Sequence, residues 1–112
     1  MNPISHLNIP VKLGVDGEWI VTELTHLTQE KCQCLLERAL PLESNVQIMM
    51  LVSSLESGQK LTQKINCAGV VKFVECSPFD KKEMKYLVEI VFTAMSSAEK
   101  RLIAEIENKT NA

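Results

Sequence analysis

The chain has 112 residues, 46% of them apolar and 23% charged, with a net charge of −2. This is the composition of one ordinary globular domain, large enough to bury roughly two thirds of its unfolded surface without a metal or disulfide staple. It excludes a collagen-like chain, a long disordered chain and a strongly basic nucleic-acid binder, and only Arg38 and Arg101 are arginines.

The opening Met1-Asn2-Pro3-Ile4-Ser5-His6 lacks a basic stretch followed by an apolar one, so no secretory signal is expected. Residues 1–8 are expected to be a flexible lead-in, with one domain over 9–112. From Ile9 the pattern is strand-like: Val11, Leu13 and Val15 alternate with Lys12 and Gly14. Asp16-Gly17 is a strong two-residue turn signal. Glu18 to Thr25 forms a second strand, with Trp19 and Val21 on one face and Glu18, Ile20 and Thr22 on the other. His26 to Glu30 reads as a loop, and Lys31 to Glu37 as a third strand.

Pro41 cannot donate to a ladder, so Arg38 to Asn45 is expected to be a turn or loop. Val46 to Ser53 is the fourth strand. Val46, Ile48, Met50 and Val52 share a face, while Met49 and Leu51 make the other face look partly buried as well. Ser57-Gly58 closes it. Leu61 to Cys76 is β-rich and interrupted at Ala68-Gly69, where glycine predicts a bulge or bend. Ser77-Pro78-Phe79-Asp80 reads as a hairpin-like break. Met84 to Thr93 is the last strand, with Tyr86, Val88, Ile90 and Phe92 on one face.

The period then changes from 2 to 3.6. Over Ser96 to Asn108, Leu102, Ile103 and Ile106 form one apolar stripe against outward Glu99, Lys100, Glu105 and Glu107. Ser96 with Glu99 three residues later is a capping box. Six strands and one terminal helix, with no βαβ alternation, predict an all-β protein: a small antiparallel barrel closed by a helix. The longest unbroken apolar run, Ile48 to Val52, has five residues, far from the ~20 needed to span a bilayer, so no membrane insertion is expected.

Four cysteines are present: Cys32, Cys34, Cys67 and Cys76. Without an export signal they are expected as reduced thiols in a cytoplasm. A four-cysteine zinc site is the sharper reading. Against it, a strand spaces positions i and i+2 by about 6.5–7 Å, too far for two thiolates each ~2.3 Å from one metal, and no CxxC occurs. The favoured reading is four small buried hydrophobes with no metal.

The order of these elements resembles the PilZ domain family over about Ile9 to Ile106. The resemblance rests on Ile9-Pro10-Val11-Lys12-Leu13 as opening strand and on His26 to Leu35 at the family's Asp/Asn-x-Ser-x-x-Gly loop and strand. Leu40-Pro41-Leu42 before Val46-Gln47-Ile48, Gly69-Val70-Val71-Lys72, and Val88 to Phe92 ahead of a helix complete it. It implies a six-stranded antiparallel barrel with one C-terminal helix. It also implies the family's ligand, cyclic diguanylate, held by an N-terminal Arg-x-x-x-Arg segment and the loop. Residues 1–8 hold no arginine, and His26, Thr28 and Lys31 stand at the loop's Asp/Asn, Ser and Gly positions. Arginine offers a planar donor fork and a stacking face that lysine lacks, and glycine tolerates φ > 0 where lysine does not.

The resemblance therefore implies a degenerate, non-enzymatic PilZ-like adaptor in second-messenger, motility or pilus regulation. It would work through a protein partner without a cofactor, with a receptor of altered site as the alternative. His26, Thr28 and Lys31 are the candidate ligand-binding residues. No GxSxG, HExxH, P-loop or dinucleotide motif is present, and His6 and His26 have no evident catalytic partners. Lys81-Lys82 with Lys85 is a basic cluster that reads as a solvated turn. Met49, Leu51 and Met95 are a possible contact patch, with ordinary core packing as the competing reading.

Overall fold

The structure, a computed structural model, describes residues 9–56, 58–78 and 84–110. The expectations for residues 1–8, for Ser57, and for Phe79, Asp80, Lys81 and Lys82 lie outside them. Six strands, β1 (Ile9–Val15), β2 (Glu18–Leu27), β3 (Lys31–Leu36), β4 (Asn45–Glu56), β5 (Gln59–Pro78) and β6 (Met84–Ala94), precede one helix, α1 (Ser97–Thr110). Every neighbouring pair is antiparallel, and the order β1-β2-β3-β6-β5-β4 closes into a barrel where β4 meets β1. The expected fold is thus the observed one.

Alternation sets the inside. Ile9, Val11, Leu13 and Val15 of β1 are buried, as are Val46, Ile48, Met50 and Val52 of β4, so each strand sends every second side chain into the barrel. Cys32, Cys34 and Leu36 do the same from β3, and Val88 and Ile90 from β6. The interior is filled rather than hollow, as a barrel of this size requires. No polar or charged side chain is buried among the described residues.

Two local conformations shape the barrel. Asp16 (φ 50°) and Gly17 (φ 80°) are both left-handed, the geometry of the two-residue hairpin that matches strand twist, and they pair Val15 with Glu18. In β2 a register shift between Leu24 and His26 lets Leu24 and Leu27, three positions apart, both point inward. In β5 the expected irregularity lies at Ala68/Gly69, with a second shift at Val71/Phe73. A Cβ at Gly69 would stand 2.6 Å from Ile90 Cγ2 and 2.7 Å from the Val91 carbonyl oxygen, so the close approach of β5 to β6 demands glycine there.

The helix is anchored at its start and by one side chain. Ser96 Oγ accepts from the Glu99 amide (3.2 Å), and the Ser96 amide donates to Glu99 Oε1 (3.1 Å), the expected capping box. Glu99 Oε2 also accepts the Asn66 amide of β5 at 3.1 Å, tying the cap to the barrel. Ile103 is completely buried, while Leu102 and Ile106 are half-buried against the core.

Several boundaries and burial expectations need correction. His26 and Leu27 belong to β2, so the β2–β3 connection is only Thr28 to Glu30. β3 ends at Leu36 rather than Glu37, and β4 begins at Asn45. Ser77 and Pro78 end β5 instead of breaking it. Leu51 is 44% exposed, since no element among the described residues covers the outer surface of β4 there. Met49 lies beside Leu51 on that outer surface while Met95 packs on the core, so the three form no common patch. Of the cysteines, Cys32 and Cys34 are buried, Cys67 is half-buried and Cys76 is exposed, so Cys76 is no core residue.

Candidate functional site

The β2–β3 turn carries the candidate residues, and its geometry follows from Thr28. The Thr28 amide donates to the Lys31 carbonyl at 2.9 Å. The Thr28 hydroxyl accepts the amides of Glu30 and Lys31, each at 3.2 Å, which is how a threonine side chain closes a short turn. The Phe92 amide donates to the Glu30 carbonyl at 2.9 Å and fastens the turn to β6. Lys31 opens β3 in ordinary strand conformation. The left-handed φ that glycine would serve is absent at this position, because positive φ occurs at Asp16, Gly17, Glu43 and Gly58 among the described residues.

Side chains outside the barrel organise around Glu89. Gln33 lies opposite both His26 of β2 and Glu89 of β6, so the three make one outward row across three strands. Gln33 Nε2 donates to Glu89 Oε1 at 2.9 Å, and Lys31 Nζ stands 3.3 Å from the same oxygen. Gln33's hydrogen bond, with help from the charges of Lys31 and His26, holds the Glu89 carboxyl below its usual range, while partial burial works in the opposite sense. Lys31 thus reaches into the surface row instead of the turn. His26 is exposed on a strand, not on a loop tip. The structure brings His26 and Lys31 together through Glu89 and leaves the Thr28 hydroxyl engaged within its own turn.

Beside the turn is a shallow hollow of about 380 Å3, lined by Gln29, Glu30, residues 91–95 and Lys100. Its cationic side chain is Lys100, and Glu30 brings a carboxylate to the same rim. Sequence reasoning missed Gln33, Glu89 and Lys100 because the β3–β6 and turn–helix juxtapositions join residues more than 50 positions apart. Lys85 of the expected basic cluster is half-buried and stands 3.5 Å from Glu37. Burial pushes the Cys34 and Cys67 thiols up to about 12 and raises Cys32 as well, which disfavours the thiolate a metal needs. Among the described residues no three His, Cys, Asp or Glu side chains could together hold a metal ion.

The fold has solved counterparts. The chain superimposes on the Bacillus subtilis inhibitor of motility MotI/DgrA with a TM-score of 0.76 at 14% identity, over 96% of this chain and 49% of that one. It is likewise similar to K. pneumonia MrkH in its apo state, with a TM-score of 0.70 at 14% identity, over 94% of this chain and 50% of that one. A second crystal of MrkH gives 0.67 at 15% identity, with 94% and 48% covered. This chain therefore spans about half the length of these structures. No protein-family profile matches the sequence. No curated protein matches it either. The likeness establishes the fold alone, a closed six-stranded antiparallel barrel with one C-terminal helix. No helix among the described residues is long and apolar enough to cross a membrane.

Proposed function

We propose that this chain is a non-enzymatic PilZ-like regulatory domain of bacterial second-messenger, motility or pilus control, working in the cytoplasm as an adaptor through a protein partner. The fold likeness to an inhibitor of motility supports the setting. The observation that carries the adaptor reading is the β2–β3 turn. Its Thr28 hydroxyl already accepts two amides, and its Lys31 ammonium is already beside Glu89. A phosphate arriving there would meet Lys100 and the carboxylate of Glu30, with no arginine fork.

The second reading is a cyclic-diguanylate receptor of altered site, favoured by the hollow beside the β2–β3 turn with Lys100 on its rim. Each missing arginine removes charge-assisted hydrogen bonds of roughly 1.5–3 kcal/mol. Two such losses weaken binding by about 3–6 kcal/mol, or two to four powers of ten. Calorimetric titration of the purified chain with cyclic diguanylate separates the readings. The adaptor reading expects no saturable heat at micromolar ligand. Saturation at micromolar or tighter affinity, with nuclear magnetic resonance shifts clustered from His26 to Lys31, would establish the receptor.

A further inference from the structure

At the end of the barrel marked by the β1–β2 turn lies a hollow of about 550 Å3. Its lining includes Gly14, Asp16, Glu18 and Trp19 of that hairpin, and Asn45 and Gln47 at the start of β4. β2, β1 and β4 are neighbours in the barrel, and their register sets Trp19 opposite Gly14 and Gly14 opposite Gln47. A Cβ at Gly14 would stand 3.0, 3.1 and 3.3 Å from three adjacent carbons of the Trp19 ring. Such near-equal distances place that position over the face of the ring, not at its edge. The indole therefore lies flat on the β1 backbone, and the missing side chain of Gly14 makes the room. The other face of the ring is turned outward, and Trp19 is 53% exposed.

The charges around the hollow have one sign. Asp16 and Glu18 bring carboxylates, Asn45 and Gln47 bring amides, and no lysine or arginine is among the lining residues. Glu18 is already matched, since Arg38 Nη2 stands 2.9 Å from its Oε2, so the chain itself holds a guanidinium at this rim. Asp16 enters none of the ion pairs among the described residues. Lys12, one row along β1 opposite Val21, lies outside the lining. The turn that carries Asp16 is stiff, because Asp16 (φ 50°) and Gly17 (φ 80°) close a two-residue hairpin.

We infer that this hollow receives an arginine side chain presented by a protein partner. The inference rests on the adaptor reading for the existence of that partner and supplies the partner's chemistry. A guanidinium laid on the free face of Trp19 is attracted by the ring's π electrons. Its planar fork of donors is matched by the Asp16 carboxylate and by the amide oxygens of Asn45 and Gln47. A lysine would answer the charge and could not stack. The hollow is open to the surface, so it suits a side chain carried on another chain and does not enclose a free small molecule. Indole and carboxylate sit on one short hairpin, so little ordering is needed when the arginine arrives.

Trp19 is the only tryptophan of the chain, so its fluorescence reports on this site alone. The test titrates the full chain at low salt with a capped Gly-Arg-Gly-Arg-Gly peptide. A saturable change is expected, half complete at about 1–10 mM. The same peptide with citrulline, which keeps the shape and loses the charge, should give none. The lysine peptide should bind at least about threefold more weakly. Asp16→Asn suits the same left-handed turn and should weaken the arginine peptide about fivefold, with circular dichroism unchanged. Glu75→Gln makes the same charge change far along β5 and should leave binding at the parent value. No saturable change up to about 20 mM overturns the inference. So does a citrulline peptide or free arginine that binds as tightly, or an Asp16→Asn variant that binds like the parent. The adaptor reading survives those results, with its partner docked elsewhere; saturable binding of cyclic diguanylate in the calorimetric titration would instead remove that reading.

Discussion

Replacing Ile103 by alanine tests how the helix is held. Ile103 has no exposed surface, alone among the described side chains of the helix, while Leu102 and Ile106 beside it are half-buried. A 14-residue helix is only marginally stable alone, so docking supplies most of its stability. Ile103→Ala removes three carbons, worth ~0.8 kcal/mol each in transfer, or about 2.5 kcal/mol. The residual cavity adds to that, so a loss of about 3–4 kcal/mol is expected, within the measured range for such truncations. Leu102→Ala removes the same number of carbons from a half-wet site and should cost about 1–1.5 kcal/mol. Against a total stability of roughly 5–15 kcal/mol, the Ile103 variant folds but melts roughly 10–20 °C lower. Urea titration with unchanged slope is the assay. A loss below about 0.5 kcal/mol, typical of exposed sites, or a larger loss for Leu102→Ala than for Ile103→Ala, would refute the docking geometry.

Four further outcomes follow from particular groups. Gly69→Ala should cost about 1–3 kcal/mol in urea titration, because the new Cβ meets the Val91 backbone oxygen at 2.7 Å and backbone cannot step aside; a neutral effect would refute the close approach. Ellman's reagent at pH 8 should label exposed Cys76 first and Cys34 only on unfolding, since a thiol at about 12 is roughly one part in ten thousand thiolate there. Because folding raises Cys34 and Cys67 from about 9 to about 12, their proton-linked stability is complete below pH 9 and is lost as pH climbs toward 12, readable as alkaline unfolding. Glu89 has the opposite sign: its lowered pKa favours folding above the ordinary carboxyl range and fades on acidification, and Glu89→Gln should remove under about 1 kcal/mol of acid-sensitive stability.

The fold was legible because its cause is periodic. Val11, Leu13 and Val15, or Val46, Ile48, Met50 and Val52, announce an inward face wherever they sit, and all are buried. Ser96 and Glu99 announce the cap from three residues' distance. What stayed hidden depends on register. Nothing local in His26-Leu27 says that a shift after Leu24 continues the strand, since the inward position of Leu27 appears only once β3 lies beside it. Cys76 shares its residue type with buried Cys34, and only its place near the end of β5 exposes it. The ligand-loop comparison identified Lys31 and Thr28 but not the partners that occupy them. Glu89 is 58 positions from Lys31, and the β3–β6 pairing alone brings them together.

The outer surface of the barrel is not uniform. The interior is filled by apolar side chains and holds no buried polar side chain among the described residues. On β2–β3–β6 the charges answer one another: Glu89 takes both Gln33 and Lys31, and the turn beside them satisfies its own amides. An incoming anion there must compete with a carboxylate already in place. Elsewhere on the outside, Trp19 and Val21 of β2 and Leu51 of β4 leave large apolar side chains exposed to water. The positions that match the family's ligand loop, Thr28 and Lys31, are therefore already engaged by their own neighbours, whereas these apolar side chains are not covered by any described residue.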